Sequence, residues 1–370
     1  MYFSRILLSH FRNYSELDFS PGSGVNTFSG PNGSGKTSLL EAVHFLALTR
    51  GFQPQGDKYA LQQGEQYFMV EGELNSGETF KVSYLEGKGK KIFQDHVPLT
   101  SLAEHIGRIP VVCVLPADTD LIREGGQTRR RFLDALISQY DPAYLSALIK
   151  YEKALKLRNA ALLSFLKSNR RDEEQLQVYE AVLIPNGIQI HTARKAFLDA
   201  FIPVFINMYS ILSGGKENPA IELQSPFAQN DRGEWEKLFL YYREKDGASA
   251  RTQVGTHRED LDFLLNGIPV KLFGSQGQQK TFVLALKLAN FTFLKAQKQT
   301  SPLLLLDDIF DKLDADRVKA ISLFLAGHPD TQVWITDTHA NRLSDALSIP
   351  GVNTLHQYSV FQGKVTSLST

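Results

Sequence analysis

One eight-residue stretch, Gly30-Pro31-Asn32-Gly33-Ser34-Gly35-Lys36-Thr37, constrains this chain more than any other. It fits the pattern G-x-x-x-x-G-K-[ST] and stands where that pattern has physical meaning. The apolar strand VNTFSG (25–30) precedes it, and the helical run TSLLEAVHFLALT (37–49) follows. Glycines let the backbone curl until its N–H groups surround phosphate, and a helix N-terminus adds a favourable dipole. Lys36 is expected to reach the β- and γ-phosphates of ATP, and the Thr37 hydroxyl to ligate Mg²⁺.

Two further segments extend this reading. PLLLLDD (302–308) is an apolar strand ending in two carboxylates. A run apolar on both faces belongs in the middle of a parallel sheet, here expected beside the strand that feeds the glycine loop. Asp307 then becomes the carboxylate on the Mg²⁺ side, and Asp308 the group that positions or activates the attacking water. SQGQQK (275–280) precedes the apolar helix TFVLALKLANFTFL. Ser275 and Gly277 there suit an anion at a helix start, and they equally suit an N-cap serine with a polar first turn.

The rest of the chain frames these motifs. Residues 1–20 alternate as a strand hairpin turning near Asn13, and 65–115 read as a β-rich sublobe with glycine turns. From Thr128 to about Gly214, leucines and aromatics recur at helical spacing, with breaks expected near Pro142, Ser168–Asp172 and Pro185. Residues 214–232 read as a loop, after which strands and helices alternate again. The fold class expected is α/β: an ATPase head of residues 1–126 and 235–370 with a mainly helical second lobe, 127–234. The 40 basic and 40 acidic residues cancel, so any nucleic-acid surface must be a local patch. A single cysteine, Cys113, excludes an intramolecular disulfide and suits a reducing cytoplasm. No apolar run reaches the roughly 18–20 residues of a membrane span, so no membrane is expected.

The motifs together resemble the RecF family of bacterial recombination mediators, within the superfamily of SMC and ABC-type ATPases. The residues that carry the resemblance are LSHFRNY (8–14), GPNGSGKTSLLEAVHFL (30–46), RRRFLD (129–134), GTHREDL (255–261), GSQGQQK (274–280) and LLLLDDIFDKLD (303–314). They follow one another in the family's order along nearly the whole chain. The resemblance implies an ABC-type head with a mixed sheet around the loop. It implies that Ser275, Gln276, Gly277 and Gln278 form a signature motif that contacts the nucleotide of a second copy, making ATP the glue of a homodimer. Asp314 would then lie at the dimer interface. Arg12 and Asn13 resemble residues flanking the nucleotide, and Ser38 extends the loop's own set.

The implied activity is a slow, DNA-stimulated ATPase that serves as a binding switch. Its implied work is recombinational repair of gapped DNA and replication restart within the DNA-damage (SOS) response, on duplex next to single strand. RecR and RecO-like mediators would be the partners in loading recombinase. Asp308 stands where most ABC ATPases carry Glu, which agrees with slow turnover. Asp337 occupies the place of a switch histidine, with His339 two residues on, and Asp118 is the candidate for a missing Q-loop glutamine. His257 and Arg258 carry no assigned role. For DNA, the cationic candidates are Arg129-Arg130-Arg131, Lys88, Lys90 and Lys91, and the cations of the helical stretch. The rival readings are an ABC transporter's nucleotide-binding subunit, a P-loop small-molecule kinase and a nucleotide-free adaptor. The long helical stretch before SQGQQK disfavours the first, SQGQQK itself the second, and the intact Lys36, Thr37 and Asp307 the third.

Overall fold

The computed structural model describes residues 1–52, 56–168, 171–227, 231–310, 314–348, 350 and 355–368. These fall into two compact units, one of 1–118, 208–215 and 284–370, the other of 119–207 and 216–283.

In the first unit the N-terminal hairpin forms as expected, with Phe3–Phe11 paired antiparallel to Tyr14–Phe19. It continues through Tyr67–Leu74, Thr79–Leu85, Gly89–Gln94 and Val97–Pro98 into a six-stranded antiparallel sheet. The second six-stranded sheet is mainly parallel. Its order runs Lys364–Ser367, Leu355–Phe361, Val25–Ser29, Val333–Asp337, Leu303–Asp307, Val111–Val114. All five residues are buried in each of the strands Val25–Ser29, Leu303–Asp307 and Val333–Asp337. That is the burial their unbroken apolar runs demand. The expected neighbour relation is corrected here. Val333–Asp337 lies between the loop strand and Leu303–Asp307, pairing in parallel with both.

One apolar core fills this unit. It includes Phe3, Phe11, Phe28, Leu40, Phe45, Phe68, Leu305 and Trp334, all at most 1% exposed. Phe28 stacks between Trp334 and Tyr358, with centroids 5.3 and 5.2 Å away, which fixes the strand carrying the glycine loop from both sides.

The second unit is mainly helical, with Gly126–Ile137, Pro142–Ser168, Arg232–Ser249 and residues 173–207 of the helix Glu173–Ser213. Its small sheet joins Ile268–Pro269, Asp260–Leu265 and Pro219–Gln224. Two expectations fail. Pro185 does not end a helix, since Glu173–Ser213 runs through both Pro185 and Pro203. Asn186 Nδ2 donates to the Val182 carbonyl at 2.7 Å, serving a backbone acceptor next to the ring. Within 214–232, Pro219–Gln224 is a strand whose alternation (PAIELQ) pairs along Asp260–Leu265. Among the described residues Glu173–Ser213 is also long and apolar enough, by length and composition, to cross a membrane, with 39% of the apolar window buried. In the same helix Glu180, His191 and Arg194 are buried in ion pairs.

Candidate functional site

Parallel pairing sets the site. Ser29 stands opposite Asp337, Phe28 opposite Thr336, and Thr336 opposite Asp307, so the loop, Asp307 and Asp337 share the carboxyl edge of one sheet. Open α/β sheets bind ligands at that edge.

The loop's shape is specified by what packs on it. A Cβ on Gly30 would stand 2.1 Å from the Val360 carbonyl oxygen, so only glycine passes there. Gly33 has φ +77°, a left-handed turn that glycine takes without strain. The Gly363 N–H donates to the Ser34 carbonyl at 3.1 Å, and Tyr14 Oη donates to the Gly35 carbonyl at 2.9 Å. Asn13 spans the loop, donating from Nδ2 to the Gly33 carbonyl at 3.2 Å and accepting from Ser38 Oγ at 2.8 Å. Arg12 turns the other way and makes a bidentate pair with Glu41, at 2.8 and 2.9 Å. Pro31, Asn32 and Gly33 are exposed, while Ser34, Gly35 and Lys36 are buried.

Lys36 Nζ donates to the carbonyls of Gly30 and Pro31 at 2.7 and 2.9 Å, so its ammonium is held inside the loop's own ring. Burial lowers its pKa, opposed by the charges of Asp308, Asp307 and Asp337. Thr37 Oγ1 lies 2.9 and 3.1 Å from the two oxygens of Asp307. Burial raises the Asp307 pKa, and the hydrogen bonds from Thr336 and Thr37 and the charge of Lys36 oppose it. Asp308 follows in a left-handed conformation, φ +49°. Thr336, which the sequence reading missed, joins the two. Its hydroxyl donates to Asp307 Oδ1 at 2.7 Å and accepts from the Asp308 N–H at 3.0 Å. The signal was present as a hydroxyl residue near the end of an apolar strand in WITD, one step before Asp337.

These residues fit Mg²⁺ and a triphosphate. Ser34 Oγ is buried with no hydrogen-bond partner among the described residues, and it sits inside the cradle. Among the described residues no cluster of three or more His, Cys, Asp or Glu could hold a metal. One carboxylate beside one hydroxyl is instead the sparse oxygen set of Mg²⁺, whose remaining ligands are phosphate and water.

The second-unit candidates have other geometry. Ser275 and Gln278 form a capping box at the start of the helix Gln276–Lys298. The Gln278 N–H donates to Ser275 Oγ at 3.2 Å and the Ser275 N–H to Gln278 Oε1 at 2.7 Å. Gln278 Nε2 also donates to Glu217 at 2.6 Å. Gln276 is exposed and Gly277 half-buried. In the first unit Asp314 caps Ala315–Ala326 through the Arg317 N–H; Lys312 and Leu313 of the same segment lie outside the described residues. Asp118 pairs with Lys287 at 2.7 Å and accepts from the Leu115 N–H. The His339 N–H donates to Asp337 Oδ1 at 2.8 Å.

The arginine triplet does not form a DNA patch. Arg129 is buried, bidentate to Asp260 at 2.7 and 2.8 Å, and it donates to the carbonyls of Leu121 and Glu124. Arg130 donates to the Glu259 carbonyl, so Arg131 alone of the three is exposed. Lys90 is committed as well, to Asp57 and the Thr49 carbonyl, whereas Lys88 and Lys91 are exposed.

Known proteins resemble this chain in sequence and fold. An AAA domain family model matches residues 5–182. The "DNA replication and repair protein RecF" of Cytophaga hutchinsonii is 40% identical over 346 residues, covering 93% of this chain and 91% of that one. The same-named protein of Bacteroides thetaiotaomicron is 38% identical, covering 98% and 96%. A solved structure described as the recombination mediator protein RecF with ATP in the RecFOR pathway superposes with a TM-score of 0.89. It is 28% identical and covers 100% of this chain and 98% of that one. An Smc head at 15% identity shares the fold, with a TM-score of 0.57 over 100% of this chain and 98% of that one. With its fold that of an ABC-type ATPase head and its relatives matched along nearly their whole length, the chain belongs to the RecF family of DNA replication and repair proteins.

Proposed function

We propose that this chain is an ATP-driven DNA clamp of recombinational repair, acting on gapped DNA and at replication restart. The observation that carries the reading is the Thr37 hydroxyl 2.9 Å from Asp307, with the Lys36 ammonium held in the adjoining loop. The N–H groups of residues 30–38 wrap the phosphates, and Lys36 leaves its two carbonyls for the β- and γ-phosphates. Thr37 and Asp307 hold Mg²⁺, which supplies positive charge against the phosphate oxygens. Asp308 orients the attacking water and takes up its proton. A lone acid of lower basicity than glutamate suits slow, DNA-stimulated turnover.

ATP closes a homodimer in which Ser275, Gln276, Gly277 and Gln278 complete the partner's site. Their capping box leaves Gln276 exposed at a helix start, where an anion is favoured. The functional division is a head of 1–126 and 235–370 with the helical lobe 127–234 between. Duplex DNA beside a single strand is the substrate, RecR and RecO-like proteins are the partners, and the cytoplasm is the compartment. The solved structure described as RecF with ATP in the RecFOR pathway supports the nucleotide and the pathway of this reading. A transporter subunit is disfavoured by the helices between 126 and 213 and by the family.

Asp308→Asn tests the switch. It should retain ATP binding and lose about 10²-fold in turnover, about 2.7 kcal/mol of barrier, while the ATP-bound dimer outlasts the parent on gapped DNA. Turnover at the parental rate removes Asp308 from the mechanism and leaves the clamp without its release step.

A further inference from the structure

Asp307 and Asp308 are adjacent in sequence but are asked to do different work, and a buried hydroxyl from another strand stands between them. Thr336 is 1% exposed and is the penultimate residue of the strand Val333–Asp337, directly opposite Asp307. A threonine hydroxyl has one proton to give and two lone pairs to offer. Here the proton goes to Asp307 Oδ1 at 2.7 Å, and a lone pair receives the Asp308 N–H at 3.0 Å. The Thr336 carbonyl accepts the same N–H at 3.2 Å, so one residue grips Asp308 twice.

That grip has work to do. Asp308 sits at φ +49°, where a side-chain-bearing residue is strained by roughly 1–2 kcal/mol and stays only if its surroundings hold it. The conformation turns the chain sharply after Asp307, so two consecutive carboxylates do not alternate as they would along a continued strand.

The two donors to Asp307 also differ in kind. Thr37 belongs to the phosphate loop, is exposed, and must turn its oxygen toward a ligand when one binds. Thr336 is enclosed by the neighbouring strands Val25–Ser29 and Leu303–Asp307 and lies off the phosphate loop, so its bond does not compete with a ligand there. We infer that Thr336 is a positioning residue of the ATPase reaction: its hydroxyl fixes the Asp307 carboxylate for Mg²⁺ and, through the Asp308 N–H, sets where the second carboxylate points. This rests on the proposed roles of Asp307 and Asp308.

The test is Thr336→Val, which keeps the branched shape and removes the hydroxyl, beside Thr336→Ser, which keeps the hydroxyl. ATP binding is measured calorimetrically in EDTA and across a Mg²⁺ titration, and turnover is measured at saturating ATP and Mg²⁺. Thr336→Val should bind ATP in EDTA within about twofold of the parent. It should need about tenfold more Mg²⁺ for the metal-dependent gain in affinity and lose about tenfold in turnover. Thr336→Ser should stay within about threefold of the parent in each. Should circular dichroism show Thr336→Val unfolded, the smaller Thr336→Ala takes its place with the same expectations. A hydroxyl-free variant with parental Mg²⁺ dependence and turnover overturns the inference, as does a serine variant that falls as far as valine. Asp307→Asn separates the two layers. If it keeps the parental Mg²⁺ dependence, the metal reading itself fails. If it is blind to Mg²⁺ while the hydroxyl-free variant behaves as the parent, only the role of Thr336 fails.

Discussion

Charge is dense both at the sheet edge of the first unit and in the core of the second, but it is satisfied differently. At the edge, Lys36 is held by backbone carbonyls and Asp307 by hydroxyls, and among the described residues no cation bonds a carboxylate oxygen of Asp307. In the second unit the charges answer one another. Arg194, 2% exposed, bonds Asp134, Glu259 and the Tyr144 hydroxyl. Arg158, fully buried, bonds Glu180 at 2.9 Å, Asp246 at 2.7 Å and Thr252 at 2.8 Å. Burial pushes the Glu259 carboxyl up, but His191 and Arg194 outweigh it and hold it below its ordinary value. Paired charges need no ligand; charges held by neutral groups keep their unbalanced field for one. By that criterion GTHREDL belongs with the scaffold. His257 bonds Tyr151 and the Thr252 carbonyl, Arg258 bonds Thr252 and Gln253, and Glu259 closes the Arg194 network.

The largest effect expected follows from removing one partner of that network. Arg194→Met leaves Glu259 and Asp134 without their shared cation, and a buried pair broken on one side costs about 3–5 kcal/mol. The chain's two tryptophans, Trp235 and Trp334, lie one in each unit, both fully buried, so Trp334→Phe leaves fluorescence that reports the second unit alone. In that background Arg194→Met should lower the urea midpoint sharply. Lys36→Ala should do the opposite: ATP binding is lost, while the urea midpoint reported by Trp334, in a Trp235→Phe background, stays at or above the parental value. Burial already disfavours the charged Lys36 in the ligand-free fold. A stable Arg194→Met, or a Lys36→Ala that unfolds, would erase the distinction between the two regions.

Acid sharpens it. Burial lowers His257 to about 4, helped by the cations Arg258, Arg130 and Arg158 and opposed by its bond to the Thr252 carbonyl. The neutral ring then donates from Nε2 to Thr252 and accepts from Tyr151 at Nδ1, a tautomer assigned from those partners. Below its unfolded value of 6.5 the unfolded chain binds the extra proton, so stability is complete above 6.5 and lost as pH falls toward 4. Over that span the loss reaches at most about 3 kcal/mol. His257→Gln retains a donor for Thr252 and should flatten the acid slope seen by Trp235. The slope seen by Trp334 should persist, because His44 of the first unit, lowered to about 3 by burial, titrates on its own. An unchanged Trp235 slope would show that His257 is not buried neutral.

The same contrast explains what could be read in advance. The loop, its strand and its helix are contiguous, and each glycine answers a local need, so 25–49 was legible from residue order alone. Leu303–Asp307 was legible as a buried strand, but its separation from the loop strand by Val333–Asp337 was not, because lateral order depends on pairing between segments far apart. Pro185 misled because one missing donor does not end a helix whose other bonds and packing persist. Arg129 misled for a related reason. Its run of three cations has the composition of a phosphate patch, and only Asp260, 131 residues on, makes it part of the core. Thr336 lies 29 residues from Asp307 and could be paired with it only through the sheet.

The smallest effect expected concerns Tyr14, the side chain that holds the nucleotide loop from behind. Its hydroxyl donates to the Gly35 carbonyl at 2.9 Å, and its ring occupies the space a Cβ on Gly35 would press on, 3.1 Å from the nearest ring atom. Tyr14→Phe keeps the ring and loses the donor. The Gly35 carbonyl also accepts the Leu39 N–H at 3.0 Å, so it is not left unmatched, and the loss should be that of one ordinary hydrogen bond, about 1 kcal/mol. Read by Trp334 in a Trp235→Phe background, the first unit should lose about that much stability. If the hydroxyl holds Gly35 so that the following N–H groups point into the cradle, ATP affinity should fall by about fivefold, again about 1 kcal/mol. Equal losses would mean that the bond supports the loop in its binding shape. A stability loss with unchanged ATP affinity would assign Tyr14 to the core alone and leave the loop's shape to Gly30, Gly33 and the backbone bond from Gly363. A fall in affinity beyond about a hundredfold would mean that the loop depends on side chains as heavily as the second unit does, and the comparison between the two regions would fail at its first term.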